Sequence, residues 1–196
     1  ILQAKGDDAI WGKNRKNSAL AKFDLLSKLY KKIGLLTSLR ANGRECLAGP
    51  LFRPIVIMDD GDSWGTGRWS YRQMKGGFQP KGHSRLIEIG PIRTIAETIL
   101  SYKKSRIVLH IISYPSWPIL EFRFRVLWNE ERRRLKLSIP AAFKPDHVQC
   151  EIPGGAIARP ADGQEHVHGR WIFAEDSSGG KKTALGIVGS GQHGFD

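Results

Sequence analysis

The chain has 196 residues, 40% of them apolar and 26% charged, with 31 Lys and Arg against 19 Asp and Glu for a net charge of +12. This composition excludes a wholly disordered chain, and no apolar stretch approaches the roughly 20 residues of a membrane-spanning helix. Its two cysteines, Cys46 and Cys150, are too far apart for a zinc knuckle and too few for a disulfide framework. They indicate free thiols, as in a cytoplasmic protein.

The positive charge is spread along the chain. Its excess is +6 in residues 1–50, +5 in 51–110 and +4 in 111–145, and it reverses to −3 in 146–196. Nucleic-acid binding needs several cations that face neighbouring phosphates. A spread excess argues against that partner, so a basic nucleic-acid-binding β-domain is only a third hypothesis.

The distribution of polar and apolar residues along the chain predicts two segments. Residues 1–20 are polar and basic, which indicates a mobile or peripheral lead-in, and residues 21–196 form the domain. The chain begins at Ile1 rather than Met and ends with Asp196 in a strand-like context. We therefore expect a piece of a longer protein, with residues 21–196 as part of one of its domains.

From residue 51 onward the sequence predicts strands. Apolar residues alternate most clearly in 121–128, where Phe122, Phe124, Val126 and Trp128 share one face. Asn42-Gly43, Lys103-Lys104 and 129–132 predict turns of hairpins. Short turns join antiparallel strands, so the fold class is all-β, an antiparallel β-sandwich. The predicted strands are 51–58, 84–90, 92–102, 105–114, 119–128, 133–139, 148–152, 170–174 and 183–188.

The segment 59–67 (DDGDSWGTG) is the most conspicuous local cluster. It lacks the ligand order of a calcium loop and the Lys-Ser/Thr ending of a phosphate-binding loop. It reads on spacing alone as a Gly-rich turn with Asp side chains that cap backbone amides.

His166 and His168 would lie on one face of a strand, a spacing that zinc can use if further ligands converge. The possible helpers are His147, His193, Asp162 and Glu165. Nothing in the sequence brings them together, and solvated histidines are the favoured alternative.

Tryptophan supports a hypothesis of sugar binding, because an indole face stacks on the apolar face of a pyranose. Trp64 and Trp69 lie in or beside the loop that also holds Asp60, Asp62 and Arg68. The alternative for any single tryptophan is a role in core packing. Nucleophilic catalysis has no support, since the sequence has no Gly-x-Ser-x-Gly motif.

Several segments, in order, resemble the C-terminal region of glycoside hydrolase family 38, the α-mannosidases. The resemblance covers about residue 20 to the end. The segments that carry it are Gly34–Leu39, Asn42–Glu45, Asp59–Gly67, Ile87–Arg93, Val126–Arg132, Leu135–Leu137, Glu151–Pro160, Arg170-Trp171 and Gly194–Asp196.

The resemblance implies a C-terminal β-sandwich of the galactose mutarotase-like (supersandwich) kind, packed on a catalytic barrel. It also implies retaining hydrolysis of α-mannosides by an Asp nucleophile, with a zinc ion that grips the sugar hydroxyls. Nucleophile and zinc ligands are expected upstream of Ile1, so no catalytic and no metal residue is assigned here. This chain alone is expected not to hydrolyse mannosides.

The leading hypothesis is therefore a domain that supports a catalytic domain and shapes the substrate cleft of an α-mannosidase-like enzyme. Its partners would be that catalytic domain and the α-mannoside, without a membrane. The alternative is a stand-alone carbohydrate-binding β-sandwich. The residues expected near the sugar are Trp64, Arg68, Arg159 and Arg170, with Asp62 as a hydroxyl acceptor.

Overall fold

A computed structural model of the chain describes residues 2–5, 34–41, 44–61, 64, 67–145, 147–176 and 183–196. Within these residues the chain forms seventeen strands and no helix. The strands are β1 (Leu2–Lys5), β2 (Arg40–Ala41), β3 (Arg44–Glu45), β4 (Arg53–Met58), β5 (Met74–Gly77), β6 (Gln79–Pro80), β7 (Arg85–Ile89), β8 (Thr94–Tyr102), β9 (Ser105–Tyr114), β10 (Trp117–Leu127), β11 (Arg133–Ser138), β12 (His147–Ile152), β13 (Gly155–Pro160), β14 (His166–Val167), β15 (Trp171–Asp176), β16 (Thr183–Val188) and β17 (Gly194–Phe195).

All strand pairs are antiparallel, and they build two principal sheets. The larger has ten strands in the order β13-β12-β15-β16-β1-β10-β9-β8-β6, with β7 also paired to β8. The smaller has three strands in the order β11-β4-β5, and the pairs β14–β17 and β2–β3 stand apart. The predicted all-β antiparallel sandwich is confirmed. No helix in the described ranges is long and apolar enough to cross a membrane.

The core lies between these two sheets because alternation gives each strand one apolar face. The large sheet contributes Leu100, Ile107, Leu109 and Ile111, and the small sheet contributes Val56. Segments beside the sheets complete the core with Leu35, Leu36, Leu47, Leu51, Phe52 and Phe78.

The alternation predicted for residues 121–128 is observed in β10. Phe122 and Phe124 pack edge-on against Phe52, with ring centroids 4.8 and 6.3 Å apart. Trp128 packs on the core as well, with its ring 6.4 Å from that of Phe78, whereas Arg123 and Arg125 are exposed on the opposite face. Val126, predicted on the same core face, is instead 39% exposed. The alternation therefore predicts the core face correctly at Phe122, Phe124 and Trp128 and is wrong at Val126.

The hairpin at Lys103-Lys104 is confirmed, since β8 and β9 pair from Tyr102–Ser105 onward. The hairpin predicted at 129–132 is wrong. Strand β11 pairs with β4 in the small sheet and not with β10. The connection crosses between the sheets, with Arg132 at a φ of 51° and its carbonyl bonded to the amide of Asp59.

Strand β1 lies inside the segment predicted as a peripheral lead-in. Leu2–Lys5 pair with β16 along their length and with β10 at Leu2, so the peripheral interpretation is wrong for these four residues. Residues 6–20 lie outside the described part of the chain, and the division at residue 20 stays a prediction. The turn residues Asn42 and Gly43 also lie outside it, although the flanking β2 and β3 pair as expected.

Strands β5, β6, β13, β14 and β17 were not predicted. They are short or lie at a sheet edge, and their residues are largely exposed. Such strands lack the buried apolar face that produces a period-two pattern.

Candidate functional site

The loop between β4 and β5 carries three of the residues predicted to lie near a sugar, and the structure describes two of them, Trp64 and Arg68. Trp64 is 89% exposed, and Trp69 in the same loop is 72% exposed. Two large indoles at the surface of one loop are unusual, because burial of Trp strongly favours folding. Asp62, the third residue predicted here, lies outside the described residues.

Arg68 is held in place by Asp60. One terminal nitrogen, Nη1, lies 2.6 Å from Oδ1 of Asp60, and this hydrogen bond lowers the pKa of Asp60 below its ordinary value. The guanidinium therefore stays beside the loop, with further N–H groups that a ligand hydroxyl or carboxylate can use.

Tyr71 anchors the base of this loop, with only 6% of its surface exposed. The guanidinium carbon of Arg134 lies 3.6 Å from the centre of its ring, and that of Arg68 lies 5.9 Å away. Cation–π attraction favours both arrangements. Arg134 projects from β11 opposite Leu135, which packs on the core, so strand alternation aims it at the loop.

An ionic cluster extends from Arg134 to the end of the chain; we define it as Asp59, Arg134, Lys136, Glu165 and Asp196. Arg134 contacts Asp59 at 3.1 Å and Glu165 at 3.6 Å. Lys136 lies 2.5 Å from Glu165 and 2.8 Å from Asp196, and its side chain is only 15% exposed. The cluster joins the loop after β4, strand β11, the loop before β14 and the chain end.

A second connection ties the same two loops. Arg72 donates to the carbonyls of Asp162 and Gly163, at 2.9 and 3.2 Å, and the amide of Glu165 donates to the carbonyl of Trp69 at 2.7 Å. The loop with the exposed indoles is thus braced on the rest of the fold, which reduces the entropy that a ligand would have to remove.

Arg170 lies at a different place, beside Glu151. Its Nη2 is 2.9 Å from Oε1 of Glu151, and its backbone amide donates to Oε2 of the same carboxylate. These bonds lower the pKa of Glu151 below its ordinary value. The side chain of Arg170 is still 77% exposed, and the pair positions the start of β15.

Arg159 lies on β13, opposite Val148 of β12. Its Nε is buried without a hydrogen-bond partner, which is costly for a polar donor. Burial raises the pKa of the Cys150 thiol, and the positive charge of Arg159 partly offsets this increase. Within the described residues Arg159 takes part in no ion pair.

The predicted sugar-proximal residues therefore fall into two groups. Trp64 and Arg68 share one braced loop, whereas Arg159 and Arg170 lie on the β12, β13 and β15 side of the large sheet. No hydrogen bond or ion pair among the described residues joins Arg68 to either of those arginines.

The two histidines considered for zinc have other contacts. Nε2 of His166 lies 3.0 Å from Asp162, and the ring of His168 packs against those of His193 and Phe195, at 6.5 and 6.0 Å. Burial lowers the pKa of His168. In the described ranges no three His, Cys, Asp or Glu side chains converge as metal ligands.

Sequence reasoning missed the ionic cluster, Tyr71 and Arg72. The sequence indicates Glu165 only as a possible helper for zinc and Asp59 only as part of a turn. These residues span positions 59 to 196, and no local pattern connects them. The one available signal was the alternation of β11, which separates Arg134 and Lys136 from the core.

Comparison with known proteins gives one family. Residues 28–196 match the model of the Glycosyl hydrolases family 38 C-terminal domain, whereas none of the curated proteins matches the chain. The match includes the loop after β4, the ionic cluster and all strands from β2 onward. Since it spans most of the chain and the fold is an antiparallel β-sandwich, the protein belongs to the family of glycosyl hydrolase family 38 C-terminal domains.

Proposed function

We propose that the chain is the C-terminal β-sandwich domain of a retaining α-mannosidase and supports hydrolysis of terminal α-mannosides by a catalytic domain upstream of Ile1. The observation that carries the proposal is the family match over residues 28–196. The nucleophile and the zinc ligands would belong to the catalytic domain, where zinc would bind the sugar hydroxyls. In this role the domain supplies packing and cleft shape rather than reacting groups.

The braced loop after β4 supports a role at the substrate cleft. Trp64 and Trp69 offer indole faces to solvent, which suit the apolar face of a pyranose. Arg68, fixed by Asp60, would donate to sugar hydroxyls, and Asp62 would accept from them. Because the ionic cluster already fixes the base of this loop, binding would order few further groups.

Arg159 and Arg170 would serve a different surface of the same domain. Arg170 is exposed although it is paired with Glu151, so its outer N–H groups would contact the catalytic domain or a distal sugar. Arg159, half-buried on β13, would contact the catalytic domain from the same surface.

The test uses the full-length protein, zinc and an α-mannoside with a chromogenic leaving group. We expect turnover, and we expect Trp64→Ala and Arg68→Met to raise KM about tenfold with a smaller effect on kcat. Trp117→Ala is the matched control and should leave KM unchanged. Trp117 is an exposed tryptophan too, at 60%, but it belongs to β10 and not to the loop after β4. Absence of turnover with every α-mannoside would contradict the proposal.

A stand-alone carbohydrate-binding module is the second candidate, favoured by the exposure of Trp64 and Trp69 beside a fixed arginine. It predicts that the 196-residue chain binds mannose-containing glycans without zinc. Titration calorimetry with a mannose oligosaccharide separates the candidates. Binding that Trp64→Ala abolishes, in a chain whose full-length protein hydrolyses nothing, would favour this module.

A further inference from the structure

The turn between β8 and β9 carries Lys103-Lys104, a feature that the proposed function does not use. Lys103 adopts a φ of 44°, and its ammonium lies 5.6 Å from the ring centre of Tyr102. The turn places two cations in succession at the end of the large sheet. Strand β6 lies alongside, with Pro80 opposite Leu100 of β8.

A cavity of about 390 Å³ opens at this end of the sheet. This volume lies in the lower part of the range found for small-molecule sites. Among the described residues, four cations line it and no carboxylate does. The lining residues are Pro80, Lys81, Ser101, Lys103, Lys104, Ser105, Arg106, Leu127 and Asn129.

The four cations, Lys81, Lys103, Lys104 and Arg106, form no ion pair within the described part of the chain. By contrast, Arg85, Arg93 and Arg123, in or beside β7, β8 and β10, each pair with a glutamate. Unpaired cations around one concavity repel each other, and an anion between them removes that repulsion. The charge therefore fits an anionic ligand.

The carboxylate of Glu130 contacts two of the lining residues, Lys104 and Ser105. Its Oε1 accepts hydrogen bonds from the amide of Lys104 and the hydroxyl of Ser105, both at 3.0 Å. Glu130 therefore fixes the backbone beneath the cavity. The Ser105 hydroxyl in turn accepts from the amide of Asn129 at 2.9 Å, so the floor is held before any ligand arrives.

The uncharged residues that line the cavity indicate which chemical groups the ligand carries besides its anionic group. The Asn129 side-chain amide donates to the carbonyl of Lys104 at 3.2 Å, which leaves its oxygen as an acceptor. The Ser101 hydroxyl can donate or accept, and Leu127, 55% exposed, adds an apolar wall. Acceptor, hydroxyl and apolar wall together suit a polyhydroxylated carbon skeleton.

We propose that this cavity binds the phosphate ester of a small polyhydroxylated molecule, such as a hexose phosphate. The lysines and Arg106 hold the phosphate, and Ser101, Asn129 and Leu127 contact the sugar. A long nucleic acid fits less well. The face that continues from the cavity alternates in charge along the row Arg85, Glu97, His110 and Arg123, so it offers no continuous basic stripe. The site is independent of mannoside hydrolysis.

The test is titration calorimetry of the 196-residue chain with glucose 6-phosphate, glucose, inorganic phosphate and a short single-stranded RNA. We expect binding of glucose 6-phosphate that is tighter than binding of inorganic phosphate, and none of glucose. Lys104→Gln and Arg106→Gln should each weaken it about tenfold, the value of one charge-assisted contact. Lys144→Gln, which removes the same charge from an exposed position outside the lining, should change Kd less than about twofold.

Each other result contradicts the proposal. Equal affinity for inorganic phosphate and glucose 6-phosphate would leave a simple anion site without a sugar contact. Tighter binding of the RNA, with the steep salt dependence of phosphate contacts, would assign the basic surface to nucleic acid. If Lys144→Gln weakened the binding of glucose 6-phosphate as much as Arg106→Gln, the binding would reflect non-specific attraction of the phosphate to the positive charge of the chain. Unchanged thermal midpoints of the variants verify that the fold is intact.

Discussion

The guanidinium of Arg134 lies 3.6 Å above the ring of Tyr71 and at the same time contacts Asp59 and Glu165. Through these contacts, Arg134 of β11 joins three points around the loop that exposes Trp64. Asp59 lies at the start of this loop, Tyr71 lies at its base, and Glu165 lies in the neighbouring loop before β14. A loop of this length would be mobile without such contacts. The position of the candidate site thus depends on a strand more than 60 residues further along the chain.

The contact between Tyr71 and Arg134 should be measurable as a coupling energy. We expect Tyr71→Leu to lower the free energy of unfolding by about 2 kcal/mol, since it removes a buried ring and its cation–π contact. Tyr71→Phe keeps the ring and should cost less than about 0.5 kcal/mol. A double-mutant cycle with Arg134→Met should give about 1 kcal/mol of coupling in urea unfolding. A coupling near zero would show that the stacking contributes nothing.

Lys136 should be the most sensitive charge of the ionic cluster. Lys136→Met leaves the half-buried carboxylates of Glu165 and Asp196 without their common cation. We expect a loss of about 2 kcal/mol, between the values for exposed and buried pairs. The control Lys144→Met changes an exposed lysine and should have little effect. Equal losses in the two variants in urea unfolding would contradict the role given to the cluster.

A side chain at Gly163 should destabilise the fold. Its φ is +73°, and a Cβ would lie 2.6 Å from Nη2 of Arg72, whose hydrogen bonds brace the loop. Gly163→Ala should therefore cost about 2 kcal/mol from backbone strain and the displaced arginine.

Variants of two other glycines distinguish the effect of backbone strain from the effect of the contact with Arg72. Gly154 has a φ of +81° but open space around it, and Gly155 has open space without a positive φ. Gly154→Ala should cost about 1 kcal/mol through strain alone, and Gly155→Ala should be close to neutral. Thermal unfolding of the three variants measures the order of their stability losses. If Gly154→Ala costs as much as Gly163→Ala, the contact with Arg72 is unimportant.

The fold should lose stability in acid partly through Glu97 on β8. Hydrogen bonds from His110 and Arg85 lower the pKa of Glu97 below its ordinary value of 4.5. A lowered pKa in the folded state stabilises it above pH 4.5, and this contribution disappears as the pH falls through the folded pKa. Glu97→Gln should therefore be clearly less stable than the wild type at pH 7, and the difference should shrink as the pH falls below 4.5 and through the folded-state pKa.

Urea unfolding of both proteins between pH 7 and about pH 3 tests this expectation. Glu131→Gln, at an exposed position, serves as the control, and its difference from the wild type should stay small throughout. A difference for Glu97→Gln that is constant over the whole range would show that ionisation of Glu97 does not contribute.

Period-two patterning was enough to predict the long strands and their buried faces, from β4 to β16. It failed at the connection 129–132, because a short polar turn has the same sequence whether it pairs two strands or carries the chain from one sheet to the other. It also failed at β5 and β13, where exposed residues leave no apolar face to detect. The sheet to which a strand belongs depends on contacts between distant segments.

The sequence by itself determined the all-β class, the alternating core and, through its ordered motifs, the family. Only the tertiary structure decided which predicted site residues share a surface. It braced the loop that carries Trp64 and Arg68 against distant segments, and it placed Arg159 and Arg170 on a different part of the fold. It also joined residues as distant as Asp59 and Asp196 in one ionic cluster. The physical reason is that strand alternation is local, whereas ion pairs and cavities form between side chains that only the folded backbone brings within a few ångströms.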